Sequence, residues 1–586
     1  MALTLPAREA RPSTLYAAGA ELDHRLGDPR LADNPFGFSA MRHRDSACGV
    51  TALAAETGPD LRLAFVPECF GGELRTADDT LMSARLASRR DATVMPATMF
   101  GITATTCVLL AGTPEQCAEV VTLARHGQSI GFALTESDHE GDLLAGECSL
   151  SEDGDGDYLL NGHKWRVGLG PRCTALLVVA RTGGRGPAAF SLVLLREDQL
   201  NRARRGVCRT DGFRGIEFAD LRFENVPVLA ADVVGRIGEG METTLRAMQL
   251  VRVMSTAANL GTADTALRLT MDYAKQARVD GQPLTCQPYV RRELAAAGAA
   301  LAAADAVAIG CARGLHTLPG RQSLWSSTTK AVLTELSEDV FARCADVLGF
   351  RSLVADGPTG AFGVARRDNA VVRYIDIDPT GNLRLIAQQV RRMAGYDVLD
   401  QPPPSTDLAS AFSLGAPLPE LRLGELALTW RGRDDVTAAL PAVAREIREV
   451  LAGSPSAGPL LSRLGSLQGA LSLVSRDVRE LADVLGPRCG ASAELLDVAE
   501  RFAFLHAAAS CVHLWWFNRH RPLFGRLAAS TGWLVAALDV LRDRVQGPRG
   551  RLAPDIAVAP FTMVDELHAN GRLFSAEPLS LREGRS

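Results

Sequence analysis

The sequence has few aromatic residues and almost no lysine. Phe, Trp and Tyr together make up 5% of its 586 residues, and Lys occurs only at Lys164, Lys275 and Lys330. Acidic side chains (68) slightly outnumber basic ones (63), which leaves a net charge of -5. Because binding to a nucleic-acid backbone usually needs an excess of positive charge, this balance argues against a nucleic-acid-binding protein.

The sequence also lacks paired cysteines and a long hydrophobic run. Among twelve cysteines, no two are closer than Cys107 and Cys117, so the CxxC spacing of zinc and redox centres is absent. The most apolar run, residues 295–310, is mainly alanine and contains Asp305, and we expect it to be too short to cross a bilayer. The N-terminal residues lack a secretory signal pattern. We therefore expect a soluble cytoplasmic protein with no transmembrane segment.

Two sets of potential metal ligands have the wrong spacing. Residues 152–158 (EDGDGDY) mimic a calcium loop, but its sixth position is Tyr158 instead of Gly and its twelfth is Lys164 instead of Glu. A hairpin turn is the better interpretation. His506, His513 and His520 recur at steps of seven, whereas ligands on one helix are normally three or four residues apart. We predict a packed helix face there and no metal site.

The periodicity of apolar residues divides the chain into four parts. It is helical up to about residue 130, changes to short apolar runs separated by Gly, Asp and Asn, and becomes helical again after residue 240. The segment QPPPST (401–406) is a stiff linker to further helical stripes. We predict a multidomain, mainly α protein: an N-terminal helical domain (1–130), a middle antiparallel β domain (131–235), a helical bundle (236–400) and an additional C-terminal helical domain (401–586).

Eight short stretches, weak singly, occur together in one order. They are VPECFGG (66–72), GTPEQ (112–116), FALTESDHEGDLL (132–144), NGHKWRVG (161–168), FADLRFENVPV (218–228), RIGEGM (236–241), YAKQARVDGQPL (273–284) and RRDNAVVRYIDIDPTGNLRLI (366–386). On these motifs the sequence resembles the acyl-CoA dehydrogenase family over about residues 30 to 395. That family has a helical domain, a β domain and a four-helix bundle, the order that periodicity also indicates.

The resemblance implies a flavoprotein with FAD held between the β domain and the second bundle. It also implies a homodimer or tetramer in which a neighbouring subunit completes the flavin site. The expected reaction removes hydrogen from the α and β carbons of an acyl thioester, either acyl-CoA or an acyl carrier protein. Electrons would pass to an electron-transfer flavoprotein or to oxygen.

The resemblance leaves two candidates for the base that removes the α proton. Relatives usually carry a Glu in a loop after an Arg-Asp pair, here Arg367 and Asp368. Counting forward without a gap puts Asp376 at the Glu position, whereas matching Pro379-Thr380 to the family's Gly-Thr puts Asp378 there. We prefer Asp376. An Asp is shorter than Glu by roughly 1.5 Å, so the loop must lean inward.

The resemblance also places residues at the cofactor and the substrate. Thr135 matches a Thr at the pyrimidine side of the flavin, while Gly141 stands where many relatives have a Ser on the CoA arm, which would suit a carrier-bound acyl group. Arg252 matches the Arg of the first bundle helix, beside the substrate. The other positions that the resemblance places at FAD are Phe132, Leu134, Trp165, Arg166, Gly168, Arg278, Asp346 and Thr380.

Several of these positions differ from the family pattern, which leaves two alternatives open. The usual Trp-x-Thr becomes Arg166 and Gly168 unless Trp165 shifts by one position, and Asp346 replaces a Gln. A flavin monooxygenase of the same fold needs no carboxylate base. A flavin-free subunit that pairs with a competent homologue is the second alternative. The C-terminal domain could widen a dimer, or bind a carrier or a membrane surface.

Overall fold

The computed structural model describes residues 15–47, 61–139, 142–357, 359–395, 405–428, 434–454, 456–546 and 551–583. Within them the order is helices, strands, helices and further helices, so the predicted fold class is confirmed. The linker predicted at 401–406 falls largely on residues outside these ranges. The N-terminal helices are α1 Ala17–Leu26, α2 Phe38–Ala47, α3 Ala77–Ser88, α4 Val94–Ala111 and α5 Pro114–Arg125.

The break at GTPEQ is the start of α5. Thr113 Oγ1 accepts a hydrogen bond from the Gln116 backbone N–H (3.3 Å), and the Gln116 side chain accepts one from the Thr113 N–H (3.0 Å). This reciprocal pair is a capping box, which satisfies two backbone donors at a helix start. Pro114 follows at the first helical position, where its missing N–H costs nothing.

The middle domain is an eight-stranded sheet. Its strands are β1 Ile130–Ala133, β2 Ser149–Glu152, β3 Tyr158–Gly168, β4 Ala175–Arg181, β5 Phe190–Arg196, β6 Arg204–Cys208, β7 Phe218–Val228 and β8 Val233–Val234. Their order in the sheet is β6-β7-β3-β2-β4-β5-β8, and β1 also pairs with β4.

We predicted antiparallel strands, and this was wrong for two pairs: β1 and β2 both run parallel to β4. Apolar patterning reports which side of a strand is buried but carries no information on its direction.

The acidic stretch at 152–158 forms the predicted hairpin turn between β2 and β3. The Asp153 N–H donates to the Asp157 carbonyl (3.0 Å), and Asp153 Oδ1 accepts from the Asp155 N–H (2.9 Å). Gly154 and Gly156 both have positive φ, 97° and 95°. The carboxylate of Asp153 therefore stabilises the turn.

The bundle begins with three long helices. They are α6 Gly240–Gln276, α7 Pro288–Thr317 and α8 Gln322–Leu348, and a two-stranded ribbon, β9 Arg278–Val279 and β10 Gln282–Pro283, lies between the first two. α8 ends before Gly349, which adopts φ 57°. Two shorter helices follow, α9 Gly360–Val372 and α10 Pro379–Val390.

Helix α7 contains the apolar run that we expected to be too short for a membrane span. The helix has 30 residues, so by length and composition alone it could cross a bilayer, and that expectation was wrong on length. Its apolar window is completely buried inside the protein. The core helix of a globular protein has the same character, and α7 packs against α8, α6 and helices of the C-terminal domain.

The C-terminal domain is helical, as predicted. Leu464, Leu467 and Leu471 of its longest helix are buried at the helical steps of three and four residues. His506 and His513 are buried as well, and His513 Nε2 contacts the Val436 carbonyl at 2.7 Å. The helices are α11 Thr406–Phe412, α12 Asp435–Val450, α13 Gly458–Leu485, α14 Ala493–Phe517, α15 Gly532–Gln546 and α16 Pro554–Ala569.

The last described residues return to the N-terminal helices through a buried ionic cluster. We call this cluster, made of Arg85, Arg89, Asp264, Asp305 and Glu583, the C-terminal junction. Arg89 pairs with both Asp264 and Glu583, and Arg85 pairs with Asp305. All five side chains are 1% exposed or less. The junction fastens the chain end to α3, α6 and α7.

Candidate active site

A buried carboxylate lies between two cations where the bundle helices meet the loop after α9. Asp376 Oδ2 accepts a hydrogen bond from Arg252 Nε of α6 at 2.7 Å, and Lys330 Nζ of α8 is 3.8 Å from the same oxygen. The three side chains are only 3–4% exposed. We call Arg252, Lys330 and Asp376 the Asp376 cluster. It unites two residues predicted from the sequence with one that was not.

The second carboxylate oxygen of Asp376 is unengaged. Oδ1 is buried and has no hydrogen-bond partner among the described residues. The backbone of Asp376 has φ 79°, a left-handed conformation that is unusual for a residue other than Gly. Such strain persists only when surrounding contacts impose it, and it is common at functional sites. The strained loop thus turns Asp376 inward and leaves one oxygen available for chemistry.

Lys330 holds the loop as well as the carboxylate. Its Nζ donates to the carbonyl of Ile375, the residue before Asp376. Burial lowers the pKa of Lys330 to about 8, and Arg252 adds to this effect while Asp376 opposes it. A fraction of Lys330 is therefore neutral near physiological pH. The only sequence signal for this residue was that it is one of three lysines.

The other candidate base, Asp378, has a different environment. Its Oδ1 accepts hydrogen bonds from the backbone N–H groups of Thr380 (2.9 Å) and Gly381 (3.0 Å), so Asp378 is the N-cap of α10. This arrangement satisfies helix donors that would otherwise lack partners. Thr380, predicted at the cofactor, is exposed in the first turn of that helix.

Two polar residues that the sequence did not single out support the cluster. Arg252 Nη1 donates to Ser327 Oγ at 3.3 Å, and Asn382 Nδ2 donates to the Ser327 carbonyl at 2.9 Å. Ser327 thereby links Arg252 on α6 to Asn382 on α10. Isolated Ser and Asn residues in helices carry no pattern that identifies them from sequence.

The predicted flavin-facing residues meet at one edge of the middle sheet. Thr135, just after β1, exchanges two hydrogen bonds of 2.9 Å with Trp165 of β3: its hydroxyl donates to the Trp165 carbonyl and its carbonyl accepts from the Trp165 N–H. Phe132 and Leu134, which flank Thr135 in sequence, are buried. The structure thus brings Thr135 and Trp165 into contact, and the role of all four residues at a cofactor stays a prediction.

A β-bulge lies within the altered Trp motif NGHKWRVG and sets the register in which this part of β3 pairs with β7. Between Lys164 and Val167 the pairing of β3 with β7 slips by one residue, and Arg166 adopts φ 51°. The Arg166 guanidinium lies 3.6 Å from the centroid of the Trp165 ring, a cation–π stack. Gly168 is buried and brings no hydroxyl to this edge.

These groups fit the flavin ring of FAD. A flat ring system needs an apolar bed, a stacking partner and polar groups at one edge. Phe132 and Leu134 provide the bed, and the half-buried Trp165 indole can stack. The Thr135 hydroxyl is already engaged with Trp165, so polar contact from Thr135 would come from its backbone.

The remaining predicted residues lie apart from this edge. Arg278 is exposed in the ribbon strand β9, and Asp346 is exposed near the end of α8. Their side chains face solvent in the single chain, where a neighbouring subunit could reach them. Gly141, predicted beside the substrate, lies outside the described residues.

The β domain and the bundle are joined close to the Asp376 cluster. A Cβ at Gly212 would lie 2.4 Å from the Arg367 carbonyl oxygen, so only Gly allows the loop before β7 to pass this close to α9. The next residue, Phe213, donates its backbone N–H to Asp368 Oδ1 at 2.7 Å. Burial raises the pKa of Asp368 well above its usual value. The Arg-Asp pair thus connects the domains rather than performing chemistry.

Known protein families match the central part of the chain. The model of the acyl-CoA dehydrogenase middle domain matches residues 131–226, and that of the acyl-CoA dehydrogenase C-terminal domain matches residues 238–375. These two ranges contain β2 to β6, most of β1 and β7, and the helices that carry Arg252 and Lys330.

Curated relatives are similar over parts of the chain. A mitochondrial 2-methylacyl-CoA dehydrogenase of Solanum tuberosum is 26% identical over 196 residues, which are 32% of this chain and 47% of that protein. The probable acyl-CoA dehydrogenase FadE25 of Mycobacterium tuberculosis is 23% identical over 313 residues, 53% of this chain and 80% of that protein. The chain thus spans about half the length of several curated relatives that it matches.

A solved structure matches the fold almost throughout. An acyl-CoA dehydrogenase of Bacillus anthracis, complexed with FAD, superposes with a TM-score of 0.69 and covers 95% of this chain and 94% of its own. Its sequence identity is 15%, so the likeness concerns the fold. Because it extends over nearly the whole chain, the arrangement that includes the C-terminal helices recurs in another protein.

Proposed function

Since the chain belongs to the acyl-CoA dehydrogenase family, we propose that it is an FAD-dependent oxidoreductase that introduces a double bond between the α and β carbons of an acyl thioester. Asp376 is its base. The observation that carries the proposal is the Asp376 cluster, in which one carboxylate oxygen is held by two cations and the other is buried with no partner among the described residues.

The reaction needs a base in a dry site. A proton α to a thioester is only weakly acidic, so the base must be positioned against it and the developing negative charge must be stabilised. Asp376 Oδ1 takes the proton. Arg252 and Lys330 hold Oδ2, which fixes the direction in which Oδ1 faces. Pre-orientation of this kind replaces the reach that Asp lacks relative to Glu.

FAD, held at the middle-domain edge by Thr135, Trp165 and Arg166, would accept hydride from the β carbon. The protein supplies binding and orientation around it. Trp165 would cover one side of the flavin ring, and Arg166, which stacks on Trp165, would place positive charge beside it. The buried side chains of Phe132 and Leu134 would keep water away from the ring.

The substrate is an acyl thioester. Its acyl group is carried either by CoA or by a carrier protein, and experiment distinguishes the carriers and the acyl chains. We propose that the enzyme is cytoplasmic and works as a homodimer or tetramer, with an electron-transfer flavoprotein as a candidate acceptor. Two large apolar side chains after α8, Phe350 (81% exposed) and Leu353 (70% exposed), support an oligomer. They lie close to the exposed Asp346 in sequence, where the resemblance puts the subunit contact.

A visible absorption spectrum tests the proposal. The purified protein is measured before and after addition of FAD, and then anaerobically with short, branched and long acyl-CoA thioesters and with an acyl carrier protein. We expect flavin bands that bleach with a thioester, and an enoyl product detected by mass spectrometry. Flavin bands that no thioester bleaches would contradict the dehydrogenase activity.

A flavin-free partner subunit is the second candidate. Two observations favour it: the Arg166 guanidinium lies on the Trp165 ring, where it competes with other stacking partners, and Asp346 presents a negative charge near the predicted subunit contact. A protein that remains colourless with excess FAD and that co-purifies with a related chain would establish this candidate in place of the first.

A further inference from the structure

The proposed reaction leaves a proton inside the protein. Asp376 and Lys330 are only 4% and 3% exposed, so neither can pass a proton directly to bulk water. Each turnover nevertheless requires the base to lose the proton that it took. A buried base therefore needs a route to solvent, and the structure contains one on the side of Lys330 that faces the C-terminal domain.

A cavity of about 70 Å³ lies between Lys330 of the Asp376 cluster and that domain. Lys330, Ile377 and Asn382 line it from the bundle, and Glu500 and Phe504 of α14 line it from the C-terminal domain. A water needs only about 10–15 Å³ of such space, so the cavity has room for more than one.

Polar groups are available to hold that water. Asn382 is 3% exposed, and its Oδ1 has no hydrogen-bond partner among the described residues. A buried amide oxygen without a partner is costly unless water satisfies it. Toward the surface the cavity is lined by Glu335 and Arg373, whose side chains form a 2.6 Å ion pair and are 23% and 31% exposed, and by the exposed Glu500.

We infer that Glu500 is the proton-release residue of this enzyme, receiving the substrate proton from the Asp376 cluster through cavity water and delivering it to solvent. The inference rests on the proposed function. It also gives the C-terminal domain a part in the reaction, since Glu500 lies on α14 while the base lies on the bundle.

The transfer balances with a single proton. Protonated Lys330 gives a proton through the cavity water to the Glu500 carboxylate, which releases it to solvent. The neutral amine then takes the proton from the Asp376 carboxyl group, and the ion pair is restored. Asp376, Arg252 and Asp378 are the charged groups that act on Lys330.

The ionisation of Glu500 suits this role. Partial burial raises the pKa of its carboxyl group, and repulsion from Glu335 and Asp497 adds to the rise while Arg544 and Arg373 oppose it. The raised pKa makes the Glu500 carboxylate a better proton acceptor than that of an ordinary surface Glu.

The test separates flavin reduction from proton release. FAD-loaded protein is mixed anaerobically with an acyl thioester in weak buffer, and flavin bleaching and the colour of a pH indicator are followed in the same stopped-flow experiment. The variant is Glu500→Gln, which keeps size and removes the acid. Glu494→Gln removes the same charge from an exposed position on the same helix and is the matched control.

We expect Glu500→Gln to bleach at the wild-type rate but to release its proton about tenfold later, with added formate restoring the release. Glu494→Gln should match the wild type in both signals. Normal bleaching with undelayed proton release in Glu500→Gln would overturn this inference alone. No bleaching in the wild-type protein would overturn the proposed function, and the inference with it.

Discussion

The molecule contains two buried ionic clusters that treat their carboxylates differently. In the C-terminal junction every oxygen of Asp264, Asp305 and Glu583 has a partner: Asp264 meets Arg89 and the Phe574 N–H, and Asp305 meets Arg85 and the Ala576 N–H. In the Asp376 cluster, two cations share one oxygen, and the other oxygen has no partner among the described residues. At similar burial, the carboxylate oxygens are thus all paired in the junction and only half paired in the Asp376 cluster.

This difference indicates how a reactive ionic cluster can be told from one that only stabilises the fold. An unpartnered buried oxygen costs stability, so a cluster that only holds the fold should avoid it, as the C-terminal junction does. The Asp376 cluster accepts that cost together with a left-handed backbone and a lysine whose pKa is lowered to about 8. Such compromises are expected where a group must react.

The largest change in stability is expected when a cation is removed from the C-terminal junction. Arg89→Met leaves Asp264 and Glu583 buried without their shared partner, so we expect the free energy of unfolding to fall by about 3–5 kcal/mol. Denaturant unfolding followed by circular dichroism measures it. The control is Arg75→Met, whose exposed pair with Glu68 should change stability by about 1 kcal/mol or less. Equal effects of both variants would refute the structural role of the junction.

The stability that the C-terminal junction contributes should also depend on pH. Burial alone would raise the pKa of Glu583, but Arg89, Arg268 and Arg30 outweigh it and hold the pKa at about 2. A carboxyl group with a lowered folded pKa stabilises the protein above its unfolded value, and this stability is lost as the pH falls from about 4.5 toward 2. The contribution is about 3 kcal/mol.

The corresponding variant is Glu583→Gln. Because it has no acid to protonate, the difference in unfolding free energy between it and the wild type should shrink as the pH falls from 6 to 3, measured by denaturant titration at each pH. A difference that stays constant over that range would show that Glu583 does not contribute through its charge.

In the Asp376 cluster the main effect should be on rate. Asp376→Asn keeps the shape of the side chain but removes its basicity, and we expect turnover to fall by on the order of a hundredfold or more. Steady-state assays with an artificial electron acceptor measure this, and the FAD spectrum of the variant checks that the site is still formed. Turnover within about threefold of the wild type would mean that another group is the base.

The smallest effect is predicted for Asp378, two residues after Asp376. Asp378→Ala removes the N-cap of α10 and should lower the free energy of unfolding by about 1 kcal/mol, whereas Asp378→Asn should be nearly neutral because Asn caps helices as well as Asp does. Thermal unfolding distinguishes the two. A large loss of turnover in Asp378→Asn at unchanged stability would instead identify Asp378 as the base.

Local signals in the sequence predicted much of the fold. The helical periodicity before residue 130 and after residue 240 and the turn at 152–158 depend on neighbouring residues only, and the structure confirms them. The parallel pairing of β1 and β2 with β4 was missed because direction depends on the path of the whole chain.

The site was predictable where a motif fixes the residue and not where packing decides. The motifs indicated Thr135 and Trp165, but a possible shift of Trp165 by one position left the register of the Trp segment open until the structure showed the β-bulge between Lys164 and Val167. Counting alone could not separate Asp376 from Asp378, because an N-cap and a buried ion pair look alike in sequence. Lys330 joins the cluster through tertiary contact from α8.

The central claim is that Asp376 removes the α proton of an acyl thioester. Its most direct test is hydrogen exchange at the α carbon: FAD-loaded protein is incubated with a thioester in D₂O, and incorporation of deuterium is followed by NMR. The account predicts exchange in the wild type and in Asp378→Asn, and its loss in Asp376→Asn. Exchange that continues undiminished in Asp376→Asn would contradict it.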